Sequence, residues 1–97
     1  MAYIEIEQFS LRPACEWGEF RRLDAELQAW SHVHRSGLLR RTTGYTEAGE
    51  IVVVTLLVGA TTPGPPDPDA PEAAAVRAFD HVVDPASYRR AVYRDLE

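Results

Sequence analysis

The chain has 97 residues, 45% of them hydrophobic and 26% charged, and its formal net charge of −5 at pH 7 gives no support for nucleic-acid binding. This length predicts a single domain over residues 1–97. The lone cysteine, Cys15, excludes an intrachain disulfide, and the absence of a basic leader or a membrane-length apolar run predicts a cytoplasmic protein without membrane contact.

The first element is predicted to be a strand over residues 3–10, YIEIEQFS, in which side chains alternate between two faces. Ile4 and Ile6 point to one face of this strand. The other face carries Tyr3, Glu5, Glu7 and Phe9. The strand therefore presents one aliphatic face and one face that mixes carboxylates with aromatic rings.

A helix is predicted next, over residues 14–34, with Pro13 at its first turn. Its apolar stripe recurs every three or four residues and consists of Phe20, Leu23, Leu27, Trp30 and His34. Gly37 stands where a left-handed residue is wanted after a helix, so it is predicted to end the helix.

Two strands are predicted over residues 38–45, LLRRTTGY, and 51–58, IVVVTLLV, joined by a turn that contains Gly49. The second of these strands is apolar on both faces, which is typical of a central strand. On the first, Arg41, Thr43 and Tyr45 share one side and Arg40 and Thr42 share the other.

A proline-rich loop over 59–71 precedes a second helix over about 72–83, which begins at a capping box from Asp69 to Glu72. The tail 87–96 fits either an edge strand or a helix. As a strand, it completes the order β-α-β-β-α-β, an α+β ferredoxin-like fold with a four-stranded antiparallel sheet and two helices on one face. The second face of that sheet then needs a cover.

The segments YIEIEQF, GLLRRTTGY, IVVVTLL and FDHVVDPASYRR resemble the dimeric α/β-barrel proteins, and within them the small antibiotic-biosynthesis-monooxygenase-like group. The resemblance covers nearly the whole chain. It implies a homodimer in which two sheets face each other and enclose a lumen for small aromatic or polyketide-like molecules. Members of this group oxidise such molecules with O₂, often without metal or flavin, while others cyclise, degrade haem or have no known activity.

Oxygenases of this group commonly bring an Asn from the first strand and a Trp from the third strand. Here the first strand offers Glu5, Glu7 and Gln8, and the third strand has no aromatic residue. No catalytic residue is therefore carried over from the family. Two function classes stay open: a cofactor-independent monooxygenase-like or cyclase-like enzyme of natural-product metabolism, and a non-catalytic ligand-binding or accessory homodimer.

If helices cover the isoleucine face, Glu5 and Glu7 point into the lumen of the dimer with Tyr3 and Phe9. Because a carboxylate in apolar surroundings has a raised pKa, Glu7 is the predicted catalytic base. Glu5, Tyr3 and Phe9 are the predicted substrate contacts. The alternative is that the two carboxylates pair across strands with arginines of the tail, namely Arg89, Arg90 and Arg94.

The second strand offers Arg41 to hold an enolate or carboxylate and Tyr45 to donate a proton, and both are predicted catalytic residues. The alternative is an exposed edge with solvated arginines. His34 is a predicted substrate contact as a neutral general base, or else a histidine stabilised by the helix dipole. No cluster of His, Cys, Asp and Glu has zinc spacing, so no metal is expected.

Overall fold

The computed structural model describes residues 1–59 and 73–96. Its elements are β1 Ala2–Phe9, α1 Trp17–His34, β2 Leu38–Tyr45, β3 Ile51–Val58, α2 Ala73–Val82 and β4 Arg89–Arg94. This order confirms the predicted ferredoxin-like fold and makes the tail a strand. The capping box and the proline-rich segment after Gly59 lie outside the described residues.

The four strands form one antiparallel sheet in the order β2-β3-β1-β4. The apolar strand β3 lies between β1 and β2, as its sequence predicts, and Ile51 is opposite both Phe9 and Tyr45. Strand β4 pairs with the other edge of β1, where Glu7 is opposite Arg90. This pairing puts the arginines of the tail beside the carboxylates of the first strand.

Helices α1 and α2 cover the face of the sheet that carries Phe9. The core on this side consists of Phe9, Phe20, Leu23, Ile51, Val53, Phe79, Val82 and Val83. Phe9 meets Phe20 and Phe79 edge-on, with ring centroids 6.0 and 5.6 Å away. The expectation that Ile4 and Ile6 pack on the helices is therefore wrong, because alternation sorts side chains into two sets without saying which set meets a helix.

The opposite face of the sheet is apolar and has no cover among the described elements. It carries Ile4, Ile6, Val52, Val54, Leu56, Val58, Ala91 and Tyr93. Val58 and Tyr93 are 44% and 54% exposed. A contiguous apolar surface of this kind marks an interaction site in most soluble proteins.

Gly37 fixes the connection between α1 and β2. It has the left-handed φ predicted for it, +80°, but it does not end the helix, because α1 ends at His34 with Arg35 as its C-cap. The N–H of Val58 donates a 2.8 Å hydrogen bond to the carbonyl oxygen of Gly37. A Cβ at this position would collide with the carbonyl oxygen of Val58. Glycine is therefore required both by the backbone angle and by the close approach of β3.

Candidate functional site

A cavity of about 580 Å³ lies between the two helices and the part of the sheet that carries Glu5 and Glu7, and it borders the phenylalanine cluster at Phe79. Leu27 and Trp30 of α1 and Val76 and Phe79 of α2 form its apolar walls. This size and apolar character are typical of pockets for small organic molecules. The sheet contributes most of the charged groups, which lie on the cavity floor, whereas Arg35 and Asp80 come from the end of α1 and from α2.

Glu5 is the most deeply buried carboxylate of the cavity, with 3% of its surface exposed. Arg90 donates to its Oε2 from Nη2 at 2.7 Å and from Nε at 3.2 Å, and Arg35 donates from Nη1 to Oε1 at 3.3 Å. The ion-pairing alternative is thus confirmed for Glu5 and Arg90. Removing one partner of a buried ion pair leaves an uncompensated charge. The primary role of Glu5 is therefore to stabilise the fold as the anion of an ion pair.

Glu7 differs from Glu5 because none of the described ion pairs involves it. Its Oε2 accepts a 2.6 Å hydrogen bond from the hydroxyl of Tyr88. Burial raises the pKa of Glu7 above its ordinary value, an effect that the Tyr88 hydrogen bond partly opposes. Burial, reinforced by the bond to Glu7, also raises the pKa of the Tyr88 phenol, so Tyr88 stays a donor. This pair therefore combines a buried carboxylate with a phenol donor at hydrogen-bond distance inside the cavity.

Arg41 lines the cavity from β2 and is held in place by α1. Its Nη2 lies 2.9 Å from Oδ1 of Asp24, and its Nη1 donates at 3.0 Å to Oε1 of Gln28. Its guanidinium carbon is 6.0 Å from the centre of the Phe79 ring. A register shift between Leu38 and Arg40 sets which side of β2 faces the helices at this point. Arg41 therefore enters the cavity as a neutralised, fixed cation.

The structure brings Glu5, Glu7 and Arg41 together, but it places the other predicted site residues elsewhere. Tyr45 is 68% exposed and packs edge-on against Trp17, outside the cavity. His34 is exposed and stacks on Trp30 with a centroid separation of 5.1 Å. Tyr3 and Phe9 are buried without lining the cavity; Phe9 belongs to the aromatic cluster at its end of the sheet, and Tyr3 lies near the other end of β1.

The location of this site also corrects the sequence-based expectation. Glu5 and Glu7 face the helices of their own chain, and the lumen between two sheets would be lined instead by the isoleucine face. The reason is that arginines compensate Glu5 within the fold, which makes a carboxylate under a helix tolerable.

Sequence reasoning missed four groups of the cavity: Trp30, Arg35, Asp80 and Tyr88. Arg35 follows Leu27 and Ser31 at intervals of four, so extending that helical row would have found it. Tyr88 precedes β4 with the same alternation as Arg90, which becomes visible once the tail is read as a strand. Burial raises the pKa of Asp80 on α2, and no sequence pattern predicts this.

The described part of the chain contains neither a candidate metal site nor a helix that could span a membrane. Within residues 1–59 and 73–96, no three His, Cys, Asp or Glu side chains converge as a metal site requires. No helix in these ranges combines the length and the apolar character needed to cross a membrane.

Comparison of the sequence with protein-family models and with curated proteins gives no match. Comparison of the structure with solved structures does give matches. SnoaB from Streptomyces nogalater, described as a cofactor-independent oxygenase, superposes with a TM-score of 0.71 at 11% identity, over 99% of this chain and 94% of that one. A Caulobacter crescentus protein, provisionally named an antibiotic biosynthesis monooxygenase, gives 0.73 at 17% identity, over 99% and 91%.

A third similar structure is a dimeric protein of unknown function and ferredoxin-like fold from Bacteroides fragilis. It gives a TM-score of 0.63 at 15% identity, over 97% of this chain and 96% of that one. At such low identities a likeness establishes the fold rather than the activity. The chain thus has the fold of the antibiotic-biosynthesis-monooxygenase-like proteins, as its sequence resemblance implies.

Proposed function

We propose that the protein is a small enzyme of natural-product metabolism that acts on an aromatic or polyketide-like molecule in the cavity, as a monooxygenase or a cyclase without metal or flavin. The observation that carries this proposal is the environment of Glu7, a buried carboxylate with a raised pKa, hydrogen-bonded to Tyr88 inside an apolar cavity. A carboxylate whose pKa is raised in this way is a stronger base than a solvent-exposed one.

The chemical step begins with transfer of a proton from an acidic C–H or O–H of the ligand to Glu7. The negative charge then moves from the carboxylate to the ligand, so no net charge is created in a cavity of low dielectric. Arg35 lines the same cavity with a single 3.3 Å hydrogen bond to Glu5, and it stabilises the resulting enolate or phenolate, whereas Arg41 and Arg90 are engaged by Asp24 and Glu5. This anion reacts with O₂ in an oxygenase, or with a carbonyl carbon of the same molecule in a cyclase.

The similar structures support the cofactor-independent form of this chemistry, since SnoaB is described as a cofactor-independent oxygenase. A delocalised carbanion is the species on which such chemistry depends. Among the described residues, Glu7 combines burial in the cavity, a raised pKa and a hydrogen bond from a phenol, which is why the proposal rests on Glu7 rather than on the fold.

The working form of the protein is a homodimer in which two sheets pack through their apolar open faces. A domain of this size buries little apolar surface alone, and the face that carries Ile6 and Val54 has no cover within the described chain. Light scattering should give a dimer for the parent and a monomer for Val54→Glu. Val33→Glu, on an exposed residue of α1, is the matched control and should remain dimeric. A monomeric parent at micromolar concentration would contradict this assembly.

A ligand-binding protein without chemistry is the second candidate. The observation in its favour is that the charges of Glu5 and Arg41 are already engaged within the protein, which leaves Glu7 and the more exposed Asp80 as the cavity carboxylates outside the described ion pairs. Such a protein would bind planar aromatic molecules without exchanging their protons. Proton exchange therefore separates the two candidates.

The proposed chemistry is tested by hydrogen–deuterium exchange. A planar aromatic ketone with an acidic C–H, such as anthrone, is incubated with the protein in D₂O, and label uptake is followed by mass spectrometry. The parent should accelerate exchange, and Glu7→Gln should lose about 10²-fold or more of that rate. Glu47→Gln makes the same chemical change at an exposed position and should retain the rate. Equal rates for the parent and Glu7→Gln would refute Glu7 as the base.

A further inference from the structure

The two arginines that hold Glu5 do not hold it equally. Arg90 donates two hydrogen bonds to Oε2, at 2.7 and 3.2 Å, whereas Arg35 donates one to Oε1 at 3.3 Å. A single carboxylate thus faces two guanidinium groups, and most of its hydrogen bonding is with Arg90. Glu5 therefore compensates the positive charge of Arg35 less well than that of Arg90.

Arg35 also keeps donors for a further partner. A guanidinium has five N–H donors in a planar fork. Within residues 1–59 and 73–96, the side chain of Arg35 makes the one hydrogen bond from Nη1 to Glu5. Its Nε and Nη2 groups remain for another acceptor, and the residue lines the cavity while half-buried. In contrast, the guanidinium of Arg41 donates to Asp24, Gln28 and Thr43.

The second carboxylate near Arg35 does not cancel this charge once it holds a proton. Burial raises the pKa of Glu7 and favours its neutral form, and Tyr88 already occupies one of its oxygens. With Glu7 protonated, Glu5 faces both Arg35 and Arg90, so this part of the cavity carries one positive charge in excess. Trp30 and Phe79 supply aromatic surfaces on the walls above it.

We propose that Arg35 is an anion-binding residue that selects ligands of the cavity by a carboxylate or enolate oxygen attached to a planar ring system. This inference rests on the proposed function, because it gives the substrate class of the same site. In that reaction a C–H or O–H bond of the ligand breaks and an O–H bond forms on Glu7. The electron pair stays on the ligand, delocalised onto the oxygen that Arg35 binds, and nothing is oxidised or reduced.

The test uses binding rather than turnover, in a Glu7→Gln background that fixes the neutral form of this group. Isothermal titration calorimetry compares naphthoate with naphthamide, which share a ring and differ in charge. A second pair, hydroxynaphthoquinone and methoxynaphthoquinone, compares an enolate with a neutral ether. The anion of at least one pair should bind about tenfold or more tightly than its neutral partner. Preference within the first pair identifies a carboxylate as the ligand group, and preference within the second identifies an enolate.

The role of Arg35 is isolated by Arg35→Met, which keeps the length of the side chain and removes its charge. The preference for the anion should then fall to about twofold or less, whereas Arg35→Lys should retain part of it. Arg22→Met, on an exposed residue of the same helix, is the matched control and should keep the full preference. Circular dichroism confirms that each variant is folded.

An undiminished preference for the anion in folded Arg35→Met would overturn the proposal. So would the absence of binding of all four probes at millimolar concentration, or equal binding within both pairs. The proposed chemistry fails differently, by an absence of Glu7-dependent proton exchange in a protein that still prefers the anion.

Discussion

The helix-facing side of the sheet has two ends that differ in chemistry although strand β1 spans both. At one end, Phe9 packs against Phe20 and Phe79 and is almost wholly buried. Two and four residues earlier, Glu7 and Glu5 lie on the floor of a cavity. The difference teaches that one short strand can supply both a packed core and the floor of a cavity, because successive side chains on one face of a strand stand nearly 7 Å apart along its length.

The largest effect should come from the apolar end. Replacing Phe9 with Ala leaves a void among aromatic rings that cannot close, and should lower the free energy of unfolding by about 3–5 kcal/mol. Urea denaturation at fixed protein concentration measures this. Tyr45→Ala removes an aromatic ring that is mostly exposed and should cost about 1 kcal/mol or less. Similar losses for both variants would contradict the assignment of Phe9 to the core of the apolar end.

A smaller effect is expected at the polar end. Arg90→Met leaves Glu5 with Arg35 as its single cation and should destabilise the fold by about 1–3 kcal/mol, less than for a fully enclosed pair because Arg90 is partly exposed. Adding Glu5→Gln removes the carboxylate charge that Arg90 no longer compensates and should recover most of this loss. The two single variants and the double variant form a cycle that denaturation can measure. If the effects of the two substitutions simply add, the ion pair is not the source of stability.

The smallest expected effect is on the pH dependence of stability, and it concerns Glu7 rather than Glu5. Because the pKa of Glu7 is raised in the folded state, the folded chain binds this proton more tightly than the unfolded chain does. The corresponding stability is present below the ordinary pKa of 4.5 and is lost as pH rises through the raised value. Glu7→Gln should therefore stabilise the protein relative to the parent increasingly from pH 4.5 upward. Thermal unfolding across a pH series tests this, and a constant difference would contradict it.

Local sequence patterns predicted the strands well, since alternation in β1 and the apolar run of β3 are properties of neighbouring residues. The observed bounds Leu38–Tyr45 and Ile51–Val58 are those expected from sequence. Helix α1 begins at Trp17 instead of residue 14, because the N–H of Cys15 closes a turn onto the carbonyl oxygen of Arg12.

The candidate site was only partly predictable from the sequence, because several of its residues meet through contacts between distant elements. Glu7 and Arg41 were identified because ionisable groups on a strand point to a defined face. Arg35 and Tyr88 enter through contacts between elements far apart in sequence, which no local pattern encodes. The choice of face failed because it depends on the whole fold: the carboxylates lie under the helices where arginines from α1 and β4 meet Glu5.

The glycine after α1 has a consequence for protein engineering. Gly37 is locked to β3 by a hydrogen bond and by a contact that no other residue permits. Arg35 lies two residues before it, so the length of this connection sets how far the guanidinium reaches toward Glu5. Libraries that aim to reshape the cavity should leave residues 35–37 untouched and vary the walls at Leu27 and Val76 instead. An insertion between α1 and β2 would change the distance between the Arg35 guanidinium and Glu5 without substituting any residue that lines the cavity.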